Sequence, residues 1–479
     1  MAVTEVARKS PFDLEQGRTP SRNVTLEVFG ILALAGALLL VHYKLSEGVS
    51  YFVYAIIAFI YAILIFKNIT YGTVVMIVAI GLSPDTVYYN NVRLEDYLFP
   101  PLLIIWWFQR MSKQESLVVS EVSKPIKFYV FIIIISTAKG IYFRTVYGDM
   151  LAYQFCYKYF EYFLMFWFIY QSVRNKEDVI LIMIAAFITS AIVAYVAWTG
   201  LEARLATGVT FARASGPEGE TPNVLGGYYM MNIMFGFALL FSIKQYIYKL
   251  LMLAFLIAVA APLLYTYSRT SFSSLIIGLI ITSMFIDLRF FLLLIVLGVL
   301  APILFPVVSM IDETFVERYS SILDIFGGDK GPSSWQARVI GWGVYLLGTW
   351  NYYPILGKGV GSVGLGIDSS YVKKFIETGI LGLLAFTLIL IRLARVGYEN
   401  IKLGKDPFLK SICIGYLGAL AGMIVHAVGV SSFSTIRTAE PFWIFSGLMV
   451  ATGFLIRKNR ELEEEEEEDW KQLSFVDEK

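Results

Sequence analysis

The sequence predicts an all-α polytopic membrane protein with about 14 transmembrane helices (a range of about 12–14) and one large outer loop holding amphipathic helices. Three observations carry that prediction. Of 479 residues, 57% are hydrophobic and only 16% charged. Apolar runs of about twenty residues recur from end to end, each long enough to cross a hydrocarbon core roughly 30 Å thick. Lys and Arg gather in alternate connecting segments, as the positive-inside bias requires. The net charge of +1 says nothing about partners. Membrane lipids are the expected surroundings, and no nucleic-acid partner is expected.

The chain divides in order. Residues 1–23 are polar, carry no cleavable signal pattern and read as a cytoplasmic N-terminal tail. Region 24–309 reads as a transmembrane bundle, with spans at 24–43, 49–66, 69–82, 94–109, 126–140, 150–171, 178–199, 222–243, 246–266, 271–286 and 289–309. The third, fourth, fifth and tenth are short. Residues 310–369 form the large outer loop, and 370–456 hold the last spans at 370–391, 409–430 and 439–456. Residues 457–479 are an acidic cytoplasmic tail, ELEEEEEEDW, expected to be disordered and solvated. Putting the N-terminus inside leaves nearly every short inner loop net basic, for example Arg8, Lys9, Arg18 and Arg22, then Arg392, Arg395, Lys402, Lys405 and Lys410. Both termini are then inside and the 310–369 loop outside. Cys156 and Cys413 fall within spans and read as packed small residues rather than a disulfide. Lys158 and Glu161, three apart in the sixth span, read as a buried structural pair, since an unpaired charge there costs about 2.5–3.5 kcal/mol.

The large loop is the long polar interruption. Phe315, Tyr319, Ile322 and Phe326 recur at helical spacing, which predicts an amphipathic helix in the interface. Ser334 can cap a second helix from Trp335, where Trp335, Arg338, Trp342 and Tyr345 share a face. Arginine flanked by aromatics suits a phosphate beside a sugar ring, but the same face suits an aromatic belt at the headgroups; spacing leaves both open. Glycines 357, 359, 361, 364 and 366 let the chain bend back to the membrane or leave N–H groups free for an anion. Two further outer stretches stand out. Thr221–Pro222 reads as a cap and first-turn proline, preceded by Arg204 and Arg213. Arg269 sits at a span end, where a snorkelling anchor is the plain alternative.

Several chemistries are excluded. The two histidines, His42 and His426, do not cluster with cysteine, so no zinc site or other metal site is expected. The GKG at 357–359 lacks the ending of a phosphate-binding P-loop. What remains outside is a set of arginines (Arg213, Arg269, Arg338 and Arg437) and a set of carboxylates (Asp368 and Glu377, with Asp312 and Glu440). Arginines from separate loops suit a diphosphate leaving group, and a nearby carboxylate suits a general base. Asp368 also sits where a helix N-cap belongs, so cap alone and cap plus base both stand.

Together these stretches resemble the O-antigen ligase and O-antigen polymerase superfamily of bacterial envelope glycan enzymes. The similar pieces are GLSPDTVYYNNVRLEDYLFP at 81–100, RASGPEGETPNVLGGYYMM at 213–231, YSRTSFSSLIIGL at 267–279, RVIGWGVYLLGTWNYYPILGKGVGS at 338–362, and the closing DSSYVKKFIETGILGLLAF and TIRTAEPFWIFSGLMVA. The resemblance implies an inverting, metal-independent glycosyltransferase of the bacterial inner membrane that needs no cofactor. Its donor would be an oligosaccharide on undecaprenyl diphosphate, used at the outer leaflet. Arg213, Arg269 and Arg338 would engage the diphosphate, with Arg269, Arg338 and Asp368 as the catalytic set. Trp335, Trp342, Tyr371, Glu377 and Arg437 would complete the substrate contacts. The ligases carry a loop histidine where this chain has Asp368, which turns the expectation toward a repeat-unit polymerase, with a chain-length regulator as a further partner. A ligase acting on lipid A-core is the alternative. A lipid-linked oligosaccharide flippase is the alternative of another class, and the absence of a clear internal repeat weighs against it.

Overall fold

The structure is a computed structural model and describes residues 51–83, 93–146, 148–209, 211–217, 220–296, 300, 313–320, 333–364 and 366–477. The predicted span 24–43, most of the second half of span 289–309, Asp312, Ile322 and Phe326 lie outside them. Among the described residues the elements are all helical. In chain order they are α1 (Tyr51–Lys67), α2 (Ile69–Leu82), α3 (Leu94–Ser112), α4 (Ser123–Tyr142), α5 (Asp149–Ser172), α6 (Lys176–Ala206) and α7 (Pro222–Ser242). There follow α8 (Tyr246–Leu264), α9 (Arg269–Ile286), α10 (Glu313–Ser320), α11 (Ser333–Tyr352), α12 (Ser370–Leu403), α13 (Pro407–Gly429) and α14 (Ile436–Asp477). Residues 288–296 and 300 are helical as well.

Eight of these helices are long and apolar enough to cross a membrane: α4, α6, α7, α8, α9, α12, α13 and the Ile436–Glu465 part of α14. The chain is a multi-pass helical membrane protein. Helix α2 has only 14 residues, about 21 Å of rise. It is buried along nearly its whole length, so protein rather than lipid surrounds it. Helix α5 has the length of a span but carries Asp149, Lys158 and Glu161.

The helices alternate in direction. At one end, Lys176 at the start of α6 pairs with Asp406 before α13 at 2.6 Å, and Thr70 at the start of α2 bonds Asp178 at 2.8 Å. At the other end, Arg437 at the start of α14 reaches the Ser83 carbonyl after α2 at 2.7 Å, and Ser370 at the start of α12 bonds the Val430 carbonyl after α13 at 3.2 Å. The N-termini of α3, α5, α7, α9, α12 and α14 therefore share one end, which holds the candidate site.

The best-packed part of the bundle is α13 against α7 and α9. Small residues allow it: a Cβ on Gly415 would lie 2.8 Å from Phe235 Cα, and one on Gly278 would lie 3.0 Å from the Gly418 carbonyl. That close approach brings the N-termini of α7 and α9 beside the C-terminus of α13.

Two expectations need correcting. The acidic tail is not a disordered stretch as far as Asp477; α14 runs through it, 42 residues in all. Opposite charges at helical spacing support the extension, Arg460 to Glu464 at 2.7 Å, and Lys405 of the preceding loop reaches Glu463 at 2.7 Å. In addition, Lys158 and Glu161 are not an isolated pair but part of a larger buried cluster, described below.

Candidate functional site

The site is built at the turn between α8 and α9. Tyr267 takes a left-handed backbone conformation (φ 46°), uncommon for a bulky residue, and is buried against Phe211. The turn aims the Thr266 carbonyl at Arg213, whose Nε donates to it at 2.7 Å. Arg213 Nη2 also donates to Asn223 Oδ1 at 2.9 Å, in the first turn of α7. Helix α7 begins at Pro222 with Thr221 at its N-cap as predicted, although the Thr221 side chain makes no capping bond. Ser268 caps α9, accepting from the Ser271 N–H at 3.3 Å, and Arg269 is the first helical residue. Arg213 is thus tied to this turn and to the start of α7, and Arg269 follows the same turn as the first residue of α9.

Arg338 arrives from the large loop. Helix α11 begins at Ser333, one residue before the predicted cap. Its face carrying Arg338 and Trp342 turns toward segment 363–376, where Trp342 packs on Val363, Ile367 and Ile376. Tyr345, predicted on the same face, is 37% exposed. Arg338 Nε pairs with an Asp368 carboxylate oxygen at 2.8 Å. The Gly429 backbone at the end of α13 lies between α9 and α11: a Cβ there would be 2.9 Å from Thr270 Oγ1 and 3.6 Å from Arg338 Nη1. The predicted cap role of Asp368 is overturned. The N-cap of α12 is Ser369, whose hydroxyl accepts from the Val372 N–H, and Asp368 is left to face Arg338.

The remaining predicted residues have other surroundings. Tyr371 donates from its hydroxyl to the Ile424 carbonyl at 2.8 Å and lines an open apolar groove of about 420 Å³ between α11 and α12. The Trp335 side chain lies outside the described residues. Arg437 is fully buried, paired with Glu220 at 3.1 Å. Glu377 is buried too, accepting from Tyr159 at 3.0 Å and from the Gly361 N–H at 3.2 Å.

Glu377 belongs to a break in α12. Gly379 adopts φ 66°, ψ −167°, and the interrupted backbone is completed by the glycine-rich loop. Lys358 N–H donates to the Ile376 carbonyl at 2.7 Å, Gly359 N–H to the Glu377 carbonyl at 2.9 Å, and Ile380 N–H to the Pro354 carbonyl at 2.9 Å. Gly357, Gly359 and Gly361 all have positive φ. Of the two readings of these glycines, tight bending holds; the N–H groups of Gly357, Lys358, Gly359 and Gly361 are already bonded within the protein.

Sequence reasoning missed a second polar centre. The Lys158 ammonium sits among three carboxylates: Asp96, Glu161 at 2.8 Å and Glu440 at 3.2 Å. Beside them Arg93 pairs with Glu95 at 2.6 Å. Glu161 and Glu440 are within 2% of complete burial. The three carboxylates could gather around a small cation, but the tethered ammonium already fills that place. The available signal was Asp96 and Glu440 each lying a few residues inside a helix start, a position where outer-loop charges look solvated. No family model matches the chain, and no curated protein matches it.

Proposed function

We propose that the chain is a bacterial inner-membrane glycosyltransferase that polymerises oligosaccharide repeat units carried on undecaprenyl diphosphate. The observations that support this are three: Arg213 bonds Asn223 at the start of α7, Arg269 opens α9 after the same turn, and Arg338 pairs with Asp368 while its guanidinium borders Gly429 beside Thr270. Helix N-termini add positive potential where the diphosphate charge would lie. In this reading both termini are cytoplasmic, the bundle has about fourteen spans once the shorter helices are counted, and the site faces the outer leaflet.

The acceptor hydroxyl of the next repeat unit attacks the anomeric carbon of the donor glycan. The carbon–oxygen bond to the diphosphate breaks on the opposite face, inverting the centre. The hydroxyl proton passes to the Asp368 carboxylate, and the bond electrons leave with the diphosphate. The arginines stabilise that developing charge. Trp342 packs on the apolar cluster that includes Ile367, next to Asp368, and apolar α11 residues such as Ile340 and Val344 are exposed, suiting them to lipid.

One observation favours a second reading. The buried Lys158 cluster is the kind of intramembrane charge group that transporters use, which supports a lipid-linked oligosaccharide flippase. The separating experiment incubates purified protein with a lipid-diphosphate-linked repeat unit alone and resolves the products on a gel. A ladder supports the polymerase. Transfer seen only after lipid A-core is added makes the chain a ligase. No transfer under either condition overturns the glycosyltransferase reading.

A further inference from the structure

His426 is completely buried in the last turns of α13, yet all its ring polar atoms are engaged. Nδ1 is 2.6 Å from Ser432 Oγ. Nε2 is 3.0 Å from the Asn223 carbonyl and 3.1 Å from Ser271 Oγ. A carbonyl only accepts, so Nε2 carries the proton. Nδ1 then accepts from the Ser432 hydroxyl. The Ser271 hydroxyl, beside Nε2, bonds in turn to the capping Ser268 oxygen at 2.8 Å.

Each partner sits next to a residue of the arginine site. Asn223 takes the ring on its carbonyl while its side-chain oxygen takes Arg213. Ser271 is in the first turn of α9, two residues after Arg269. Ser432 lies in the short 430–435 turn, where Ser431 donates to the Ile367 carbonyl next to Asp368. Three residues before that turn's Ser432, Gly429 borders Thr270 and Arg338. Beneath the ring is Gly227 of α7, where a Cβ would lie 2.6 Å from His426 Cε1.

We infer that His426 is a positioning residue: held in the Nε2–H form, it ties the starts of α7 and α9 to the 430–435 turn, and so sets the placement of Arg213, Arg269 and the Asp368 partner of Arg338 in a diphosphate clamp. This rests on the clamp reading given above. His426 does not touch substrate; it acts through Asn223 and Ser271.

Two isosteric substitutions divide the ring's roles. Glutamine places an amide N–H near the Nε2 position and keeps the donor to Asn223. Asparagine places its oxygen near Nδ1 and loses that donor. The test uses full-length protein in nanodiscs and undecaprenyl diphosphate as the probe. His426→Gln should bind it within about threefold of the parent, and His426→Asn should bind it roughly tenfold more weakly. His426→Asn and Arg213→Ala should be non-additive, because both act through Asn223. Equal losses in the two His426 variants, or simple additivity with Arg213→Ala, overturn the inference. If His426→Asn does not fold, Gly227→Ala takes its place; its Cβ presses on the ring, and unchanged binding in that variant also overturns the inference.

A second measurement separates this from the clamp reading. With only two histidines in the chain, ¹⁵N-histidine NMR resolves His426 once His426→Gln assigns it. A single Nε2–H tautomer supports the linkage, and a mixture or a doubly protonated ring refutes it. Parent protein that binds no diphosphate lipid sinks the clamp reading, while the tautomer still decides whether His426 joins the starts of α7 and α9 to the 430–435 turn.

Discussion

Arg338→Ala separates a structural arginine from a functional one. The guanidinium has one described ion partner, Asp368 at 2.8 Å, and the two side chains are 27% and 52% exposed. A pair that open to solvent contributes about 0–1 kcal/mol to stability. In a chain of this size that shifts the midpoint of thermal unfolding by no more than about 2–4 °C. If Arg338 instead stabilises charge developing on a diphosphate, its loss should slow turnover by about 10²–10³-fold, equivalent to about 2.7–4 kcal/mol. The assay measures chain extension from a lipid-diphosphate repeat unit in nanodiscs beside a thermal melt of the same preparation. Arg338→Lys should recover part of the rate, because the charge returns but the two-pronged donor geometry does not. Asp368→Asn is a clean companion because Ser369, not Asp368, caps α12. A fall in kcat with little change in KM would identify Asp368 as the base. Turnover by Arg338→Ala within about tenfold of the parent would refute the charge-stabilising role.

Other regions give sharper stability tests. Lys158→Met should destabilise the protein by about 3–5 kcal/mol in a thermal or denaturant melt, since Asp96, Glu161 and Glu440 lose their shared cation. Adding Glu440→Gln and Asp96→Asn to that variant should recover much of the loss, whereas no recovery would mean that the ammonium does not compensate those carboxylates. Gly379→Ala should cost more than about 1 kcal/mol, because alanine resists the positive φ at the α12 break, and limited proteolysis should then cut within the 354–364 loop. Burial raises the Asp406 carboxyl, but the Lys176 ammonium and the Leu409 and Phe408 N–H groups outweigh it and hold it below its ordinary value. The stability it contributes is therefore present above the ordinary carboxylate range and is lost as pH falls through the lower folded value, a dependence that Asp406→Asn should remove from the melting curve.

Helix positions were largely legible in the sequence because lipid allows few alternatives: apolar length dictates helix, and Thr221–Pro222 marks a start that the structure keeps. The place of Arg213, Arg269 and Arg338 along the chain was legible too, since all three flank apolar runs. Pairing was not. Asp368 looked like a cap because one-residue offsets at helix starts are invisible to pattern, and Ser369 is an equally good capping type. Arg437 looked solvent-facing because it begins a span, whereas the Glu220 that neutralises it lies 217 positions earlier. His426 read as an isolated residue within an apolar span because all three of its partners come from other segments. The α12 break was hinted at only by Gly379, and the loop that completes its hydrogen bonds could not be assigned to it from spacing.

The two polar centres are joined, and that has a consequence for function. The Ser83 carbonyl accepts from both Arg93 at 3.1 Å and Arg437 at 2.7 Å. Arg93 leads to Glu95 and the Lys158 cluster; Arg437 leads to Glu220, three residues before Asn223 and the Arg213 contact. A buried polar seam thus runs from Lys158 to the arginine site within protein, where charges act over longer range than in water. A rearrangement at Lys158 should reach Arg213 through it. Glu440→Gln and Arg213→Ala should therefore show a coupling of about 0.5–2 kcal/mol in diphosphate-lipid binding. Arg437→Met, which cuts the seam at its middle, should abolish that coupling. Strict additivity of the first pair in the parent background would show that the Lys158 cluster holds the bundle together without informing the site.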